Sequence, residues 1–522
     1  MSMVAAEQRI ASAFAVFCGL HGAVSRHARE RGICRQLVYQ EAHGVAATLV
    51  GDEWRAERAR LQARVRQLEQ QLAAARQRLA VAVVLDKDKQ AEFATVGQAR
   101  GVSLPDCREL LEVLIPGQSL SVATLGRQTR AAGIKAGHLL PVLDAWAQQR
   151  VREVSADEIY VSAPVLMVVE PASLCWVAGC LSDTVSGAAW AEQFRQLPHL
   201  EQVMRDGGTG LAKGVAVVNE ERRHEGRPPV GDQGDHFHAL RGGSTGLRQA
   251  EKQASKAVAE VEEAQKKLAE CARQGQKCTG PAARVRAAQQ RAEEALTSWC
   301  ERDQLWQETK EALQLWTPEG ELNTRTRAEA VLARTLPQLP ESGFAKTKRQ
   351  VQQPEMLHYL DRVEQQLAAL PIAAEVKQAA VRQEGLRQRP ELLQGETPAA
   401  AARRGVLLVC AVVLGKAGDQ GQQAVAAVRD IFRRAYRASS LVECINSVLR
   451  MQQARHRKMT QGLLDLKRLY WNCHRFRTGR RRGSTPYQRL GVPWPEGLRW
   501  WDVLKWTPEQ LRDKLSSTKT AA

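Results

Sequence analysis

The chain has 522 residues, 44% of them hydrophobic, which excludes wholesale disorder and allows several domains with real cores. Its formal net charge of +18 favours a polyanionic partner, either nucleic acid or an acidic membrane surface. The longest apolar run, residues 406–414, is about half the ~20 residues a bilayer requires and reads as a buried helix or strand.

The opening MSMVAAEQRI lacks a signal-peptide pattern, so a cytoplasmic location and no membrane partner are expected. The 11 cysteines include no Cys-x-x-Cys pair, which argues against structural zinc, and a reducing compartment argues against disulfides.

Residues 1–50 read as helical. Within 31–40 a tight turn at Gly32 leads into a new helix, a helix-turn-helix pattern in which Arg35, Gln36, Tyr39 and Gln40 would face DNA. Ile33, Leu37 and Val38 would pack inward; an ordinary helical hairpin is the alternative. Residues 51–90 carry Leu61, Val65, Leu68, Leu72, Ala75 and Leu79 in alternating steps of four and three, the seam of a coiled coil. Such a stripe needs a cover, so a homodimer or higher oligomer is expected, with packing on the same chain as the alternative. Residues 91–150 read as further helices, broken at Gly133, and as a candidate second DNA-binding unit.

Near residue 151 the texture turns to β. Apolar runs at 158–161, 165–169 and 174–179, separated by Ser-Ala-Pro and Pro-Ala-Ser, predict a three-strand meander. A helix with Trp190 and Phe194 follows, then a strand over 200–204 ending at Asp206. A helix or strand comes next around 215–218, then a strand edge at 235–238. This order predicts a mixed sheet of α/β type over 151–245. Residues 246–429 are helical and punctuated by proline. Trp299, Trp306 and Trp316 in this block could pack a core or stack on an unpaired base. A last segment of the sheet domain is expected over 430–480, and a basic, Trp-rich tail over 481–522.

Between residues 450 and 482 stand eleven Lys or Arg against one acidic residue, Asp465, with Tyr470, Trp471 and Phe476 interleaved. Cations and flat rings together suit phosphate contacts and stacking. Arg450, Arg455, Lys458, Lys467, Arg468, Arg475, Arg480, Arg481 and Arg482 are therefore candidate DNA contacts.

Phosphodiester chemistry commonly uses two hard cations held by carboxylates from separate elements. Asp157 on the first strand and Asp206 past a later strand are placed for this, and Glu443 on a helix is a fitting third ligand. Leu441, Ile445 and Val448 would pack that helix inward, while Asn446 and Arg450 share the face of Glu443. Glu158 alternates to the face opposite Asp157. Asp183 suits a helix cap and Glu170 a turn.

These residues resemble a known family. Asp157-Glu158-Ile159-Tyr160 is similar to the first strand of DDE-type transposases of bacterial insertion sequences, and the Val-Val-Glu-Pro-Ala-Ser run to the turn after their second strand. Asp206-Gly207-Gly208 resembles their second acidic position, and Glu443 with Asn446 and the trailing basic helix their third. Asp235 and His238 are similar to an acidic-or-Cys-x-x-His pair found after the second Asp in this superfamily. The resemblance implies a multidomain α + α/β protein whose RNase H-like catalytic domain is interrupted by a large all-α insertion. It implies two Mg²⁺ ions, with Mn²⁺ as a substitute, on Asp157, Asp206 and Glu443, supported by Asp235, His238 and Asn446. It implies DNA partners, the element's terminal repeats and the target, in the bacterial nucleoid. A non-catalytic helix-turn-helix and coiled-coil regulator, descended from such an enzyme, is the alternative function.

Overall fold

The computed structural model describes residues 3–520 apart from 50, 82–85, 115–119, 454–457 and 496. It resolves into two compact units, residues 1–87 and 88–522.

The first unit is helical. α1 (Met3–Phe17), α2 (Ala23–Glu30) and α3 (Arg35–Leu49) bury a small core of Ala13, Ala28, Val38 and Ala42. Gly32 supplies the left-handed turn (φ 64°) between α2 and α3 that the sequence predicts. Arg31 at that turn pairs with Glu41 at 2.5 Å, and Ser12 of α1 donates to the same carboxylate at 2.6 Å. Val38 packs inward as expected and Ile33 is half-buried, but Leu37 is exposed, because only one α3 position per turn meets the small three-helix core. α4 (Asp52–Val81) is a 30-residue helix whose described seam residues Leu61, Val65, Leu68 and Leu72 are all about half exposed. The side chain of Leu79 lies outside the described residues.

The second unit opens with α5 (Lys87–Ala99), α6 (Leu104–Leu114) and α7 (Val122–Ala147). The break expected at Gly133 is absent: α7 runs unbroken through it. That glycine serves close packing instead, since a Cβ there would lie 2.6 Å from the carbonyl oxygen of Gly462 on a later helix. Leu139, Leu140 and Leu143 of α7 share the core beneath the sheet with Val154, Ala156 and Leu166, so this helix packs as part of the sheet domain.

The sheet has five strands: β1 (Glu153–Tyr160), β2 (Pro164–Glu170), β3 (Cys175–Leu181), β4 (Gln202–Arg205) and β5 (Gly231–Gly234). Their spatial order is β3-β2-β1-β4-β5, with β1–β2 and β2–β3 antiparallel and β1–β4 and β4–β5 parallel. α8 (Gly187–Arg195) and α9 (Thr209–His224) make the crossovers, which settles residues 215–218 as helix. The N-cap of α8 is Ser186, not the neighbourhood of Asp183, which is exposed. Glu170 folds into its turn as expected, accepting from the backbone N–H of Ala172 and Ser173.

After β5 the chain becomes helical: α10 (His236–Arg273), α11 (Thr279–Ala312), α12 (Arg325–Gln338), α13 (Glu341–Val351), α14 (His358–Ala368), α15 (Ala374–Gln388), α16 (Pro398–Lys416) and α17 (Asp419–Arg433). These helices share a hydrophobic core in which Trp306, Trp316, Tyr359, Phe344 and Phe432 are buried, so Trp306 and Trp316 are packing residues, while Trp299 is half-buried. The run 406–414 lies in α16, where Cys410 and Leu414 face that core but Leu408, Val409 and Val412 are exposed, correcting the expectation of a buried segment. α16 is long and apolar enough by composition to cross a membrane, though Arg403 and Arg404 lie within it.

The chain then returns to the sheet. α18 (Ser440–Gln453) lies on one face of β1 and β2, and α19 (Gln461–Cys473) packs beside α7 and β3. Three short helices, α20 (Pro486–Arg489), α21 (Trp500–Val503) and α22 (Pro508–Thr520), complete the core with Tyr487, Trp494 and Trp501. The C-terminal segment is thus partly a packing element rather than only a basic tail.

Candidate active site

Strand alternation puts Ser155, Asp157 and Ile159 on one face of β1 and Val154, Ala156 and Glu158 on the other. Ile159 faces the cluster formed with α18, whereas Val154 and Ala156 face the opposite core. The parallel register pairs Ala156 with Arg205, so the next residue along each strand is an aspartate, Asp157 on β1 and Asp206 just past β4. Neighbouring strands are about 4.8 Å apart, so this register alone brings the two carboxylates together.

Asp206 folds back so that its Oδ1 accepts the backbone N–H of Gly208 at 2.8 Å. A Cβ on Gly208 would sit 2.9 Å from that oxygen, which explains the glycine. Buried Arg205 holds the turn, donating to the carbonyl of Asp206 at 3.0 Å and to both oxygens of Asp232 at 2.7 Å.

The third carboxylate arrives on α18. Val442, Ile445 and Leu449 form its buried stripe, packed on Ile159, Val165, Met167 and Val169. This corrects the expected stripe of Leu441, Ile445 and Val448; Leu441 and Val448 are only half-buried, because the helix is rotated to bring Asn446 under β1. Fully buried Asn446 donates from Nδ2 to Asp157 Oδ2 at 2.5 Å, while the other oxygen of Asp157 accepts the N–H of Glu158 at 2.9 Å. Glu443 accepts from Arg450 Nη1 at 2.9 Å and lies 3.7 Å from His238 Nε2.

Electrostatics ties these groups together. Burial first, and then the charges of Asp206, Glu443 and Glu158, push the Asp157 carboxyl up to about 7, with His238 opposing them. Glu158, though on the opposite face, is itself raised by burial and by Asp206. Hydrogen bonding to Asp235 raises His238 above its ordinary range, against the effect of burial. Burial would push Asp235 up as well, but hydrogen bonds from His238 and Ser439 outweigh it and hold that carboxyl low.

Asp235 does not stand on a strand edge. It caps α10, with Oδ1 accepting the N–H of Phe237 and His238, because a short side-chain oxygen satisfies helix-start donors that a strand would not present. Ser439, at the start of α18, donates to Asp235 Oδ2 from both its backbone N–H and its hydroxyl. Sequence pattern does not single this serine out as a site residue. The only signal it leaves is the Ser-Ser pair ahead of an apolar helix, a helix-start signature.

The donor set suits a hard divalent cation. Asp206 and Glu443 both lie near enough to Asp157 to destabilise it as an anion, and Asn446 Oδ1 is a buried oxygen without a hydrogen-bond partner. Among the described residues, no group of three or more His, Cys, Asp or Glu side chains is placed to hold a metal ion.

The expected DNA contacts divide. Lys467, 3% exposed, donates to the carbonyl of Gln98 at 2.9 Å, and burial depresses its ammonium to about 7. Arg468, 6% exposed, pairs with Asp144 at 2.5 Å and donates to the carbonyls of Trp176 and Val177. Both are structural cations, turned inward by α19 packing on α7 and β3, and neither can reach a phosphate. Arg450, Lys458, Arg475, Arg480 and Arg482 are exposed, as are Arg35, Gln36, Tyr39 and Gln40 along α3. Arg481 is half-buried and donates to the carbonyls of Pro171 and Ala172. Arg455 lies outside the described residues.

No protein-family model, curated protein or solved structure matches the chain.

Proposed function

We propose that the protein is a DDE-type DNA transposase that cleaves DNA at the ends of an insertion sequence and joins those ends to target DNA. The observation that carries this reading is the meeting of Asp157, Asp206 and Glu443, two from adjacent parallel strands and one from a helix that follows a long helical block. The strand order β3-β2-β1-β4-β5, with an antiparallel meander followed by two parallel strands, supports an RNase H-like sheet. The separate core of α10–α17 supports reading that block as an insertion.

Asp157, Asp206 and Glu443 would hold two Mg²⁺ ions, with Mn²⁺ as a substitute. When bound, such ions polarise water and phosphate and neutralise charge on the leaving oxygen. The chain's own residues supply the rest. Asn446 orients Asp157. His238, favoured in its charged form, offsets the carboxylates. Arg450 lies beside Glu443, where it can meet a DNA phosphate. Exposed Lys458, Arg475, Arg480 and Arg482 supply further backbone contacts, and α3 presents Arg35, Gln36 and Tyr39 for reading the terminal repeats. The exposed seam of α4 suits pairing of two copies.

The second reading, a non-catalytic DNA-binding regulator, draws on α3 and α4 alone. One experiment separates the two: nicking of DNA carrying the terminal repeats, with Mg²⁺ or EDTA, by wild type and by Asp157→Asn, Asp206→Asn and Glu443→Gln. The transposase reading expects Mg²⁺-dependent nicking that each substitution abolishes while end binding persists. Binding without nicking by wild type would establish the regulator instead.

A further inference from the structure

We infer that Asp235 is a positioning residue: it clasps the two ends of the helical block together and so sets Glu443 against Asp157. The inference rests on the reading of Asp157, Asp206 and Glu443 as the metal-holding set.

The chain leaves the sheet at Asp235 and comes back to it at Ser439, and the two residues meet. The Asp235 side chain is fully buried, and its two oxygens divide their work. Oδ1 accepts the N–H of Phe237 at 2.6 Å and of His238 at 3.3 Å, the local task of a helix cap. Oδ2 accepts His238 Nδ1 at 2.8 Å, the N–H of Ser439 at 3.0 Å, and the Ser439 hydroxyl. A cap needs only the first oxygen. The second serves groups that no cap requires.

Backbone bonds extend the clasp on both sides. The N–H of Asp235 donates to the carbonyl of Arg205, the residue before Asp206, at 2.8 Å. The N–H of His236 donates to the carbonyl of Arg437 at 2.9 Å. Two arms then run from Asp235 to Glu443. One passes through Ser439, a single helical turn ahead of Glu443 on α18. The other passes through His238, whose Nε2 lies 3.7 Å from Glu443 Oε1. Asp235 therefore fixes the strand end carrying Asp206 and the helix carrying Glu443 relative to each other. Residues that orient metal ligands in this way typically contribute a factor of about 10–100 to metal affinity.

The test is Mn²⁺ binding to the full-length protein by isothermal titration calorimetry, for wild type, Ser439→Ala, Ser439→Thr, Asp235→Asn and Asp157→Asn. Far-UV circular dichroism and end binding in EDTA report the fold. Ser439→Ala should weaken Mn²⁺ binding about 10-fold, while Ser439→Thr, which keeps the hydroxyl, stays close to wild type. Asp235→Asn should weaken it more, since the carboxamide sets an N–H against three donors. If Asp235→Asn loses its fold, the serine pair decides alone. Wild-type affinity in Ser439→Ala, beside lost binding in Asp157→Asn, would overturn the clasp and leave the metal-holding set standing. Wild-type affinity in Asp157→Asn would overturn both.

Discussion

Asp157→Asn should do two opposite things: abolish cleavage and stabilise the metal-free protein at alkaline pH. The Asp157 carboxyl titrates near 3.8 when unperturbed and is pushed up to about 7 in the folded chain, first by burial and then by Asp206, Glu443 and Glu158. The folded state thus binds this proton more tightly than the unfolded state. The stability tied to it is complete below about pH 4 and is lost as pH rises through about 7. A gap of about 3 in pKa corresponds to about 4 kcal/mol at most. A neutral carboxamide of the same shape escapes that penalty, and buried Asn446 can turn its unpartnered Oδ1 toward the new amide. In EDTA, followed by tryptophan fluorescence in urea, the variant should gain up to about 4 kcal/mol over wild type at pH 8 but only about 1.5 kcal/mol at pH 5. An equal gain at both pH values, or a loss at pH 8, would refute the claim that burial and neighbouring charge together raise this carboxyl in the folded chain.

Lys467→Met should leave the salt dependence of DNA binding unchanged. Replacing Arg475, Arg480 and Arg482 together by Ala should lower its slope by about 3, roughly 1 for each phosphate that is no longer neutralised. Fluorescence anisotropy across a salt series checks both, and a reduced slope for Lys467→Met would contradict its inward placement. Gly133→Ala should cost about 1–3 kcal/mol by forcing α7 and α19 apart, read from the urea midpoint; a neutral result would mean that the two helices do not meet so closely. If the α4 seam pairs copies as proposed, wild type should sediment as a dimer or larger in analytical ultracentrifugation and Leu68→Asp as a monomer; equal masses for the two would mean the seam does not pair copies.

Much of the architecture was legible in local pattern. A valine-rich run between the Ser-Ala-Pro and Pro-Ala-Ser turns marks β2, the apolar run after the second turn marks β3, and Asp157 and Asp206 fall where strand texture meets polar residues. Gly32 marks the turn before α3, and the apolar steps of four and three mark α4. β5 carries no such mark. Gly231–Gly234 has no β-branched residue and is a strand only because β4 pairs with it.

Local pattern can announce a helix, a strand or a charge, since those depend on neighbours within a few residues. It cannot announce which way a side chain finally faces. Lys467 and Arg468 look like the other cations of a basic segment, and only the packing of α19 against α7 and β3 turns them inward. Gly133 looks like a helix breaker until Gly462 is found against it, and Asp235 looks like a strand edge until Ser439 meets its carboxylate. Each of these assignments depends on a partner hundreds of residues away, and proximity across such a distance is created by burial and chain topology rather than by any short stretch of residues.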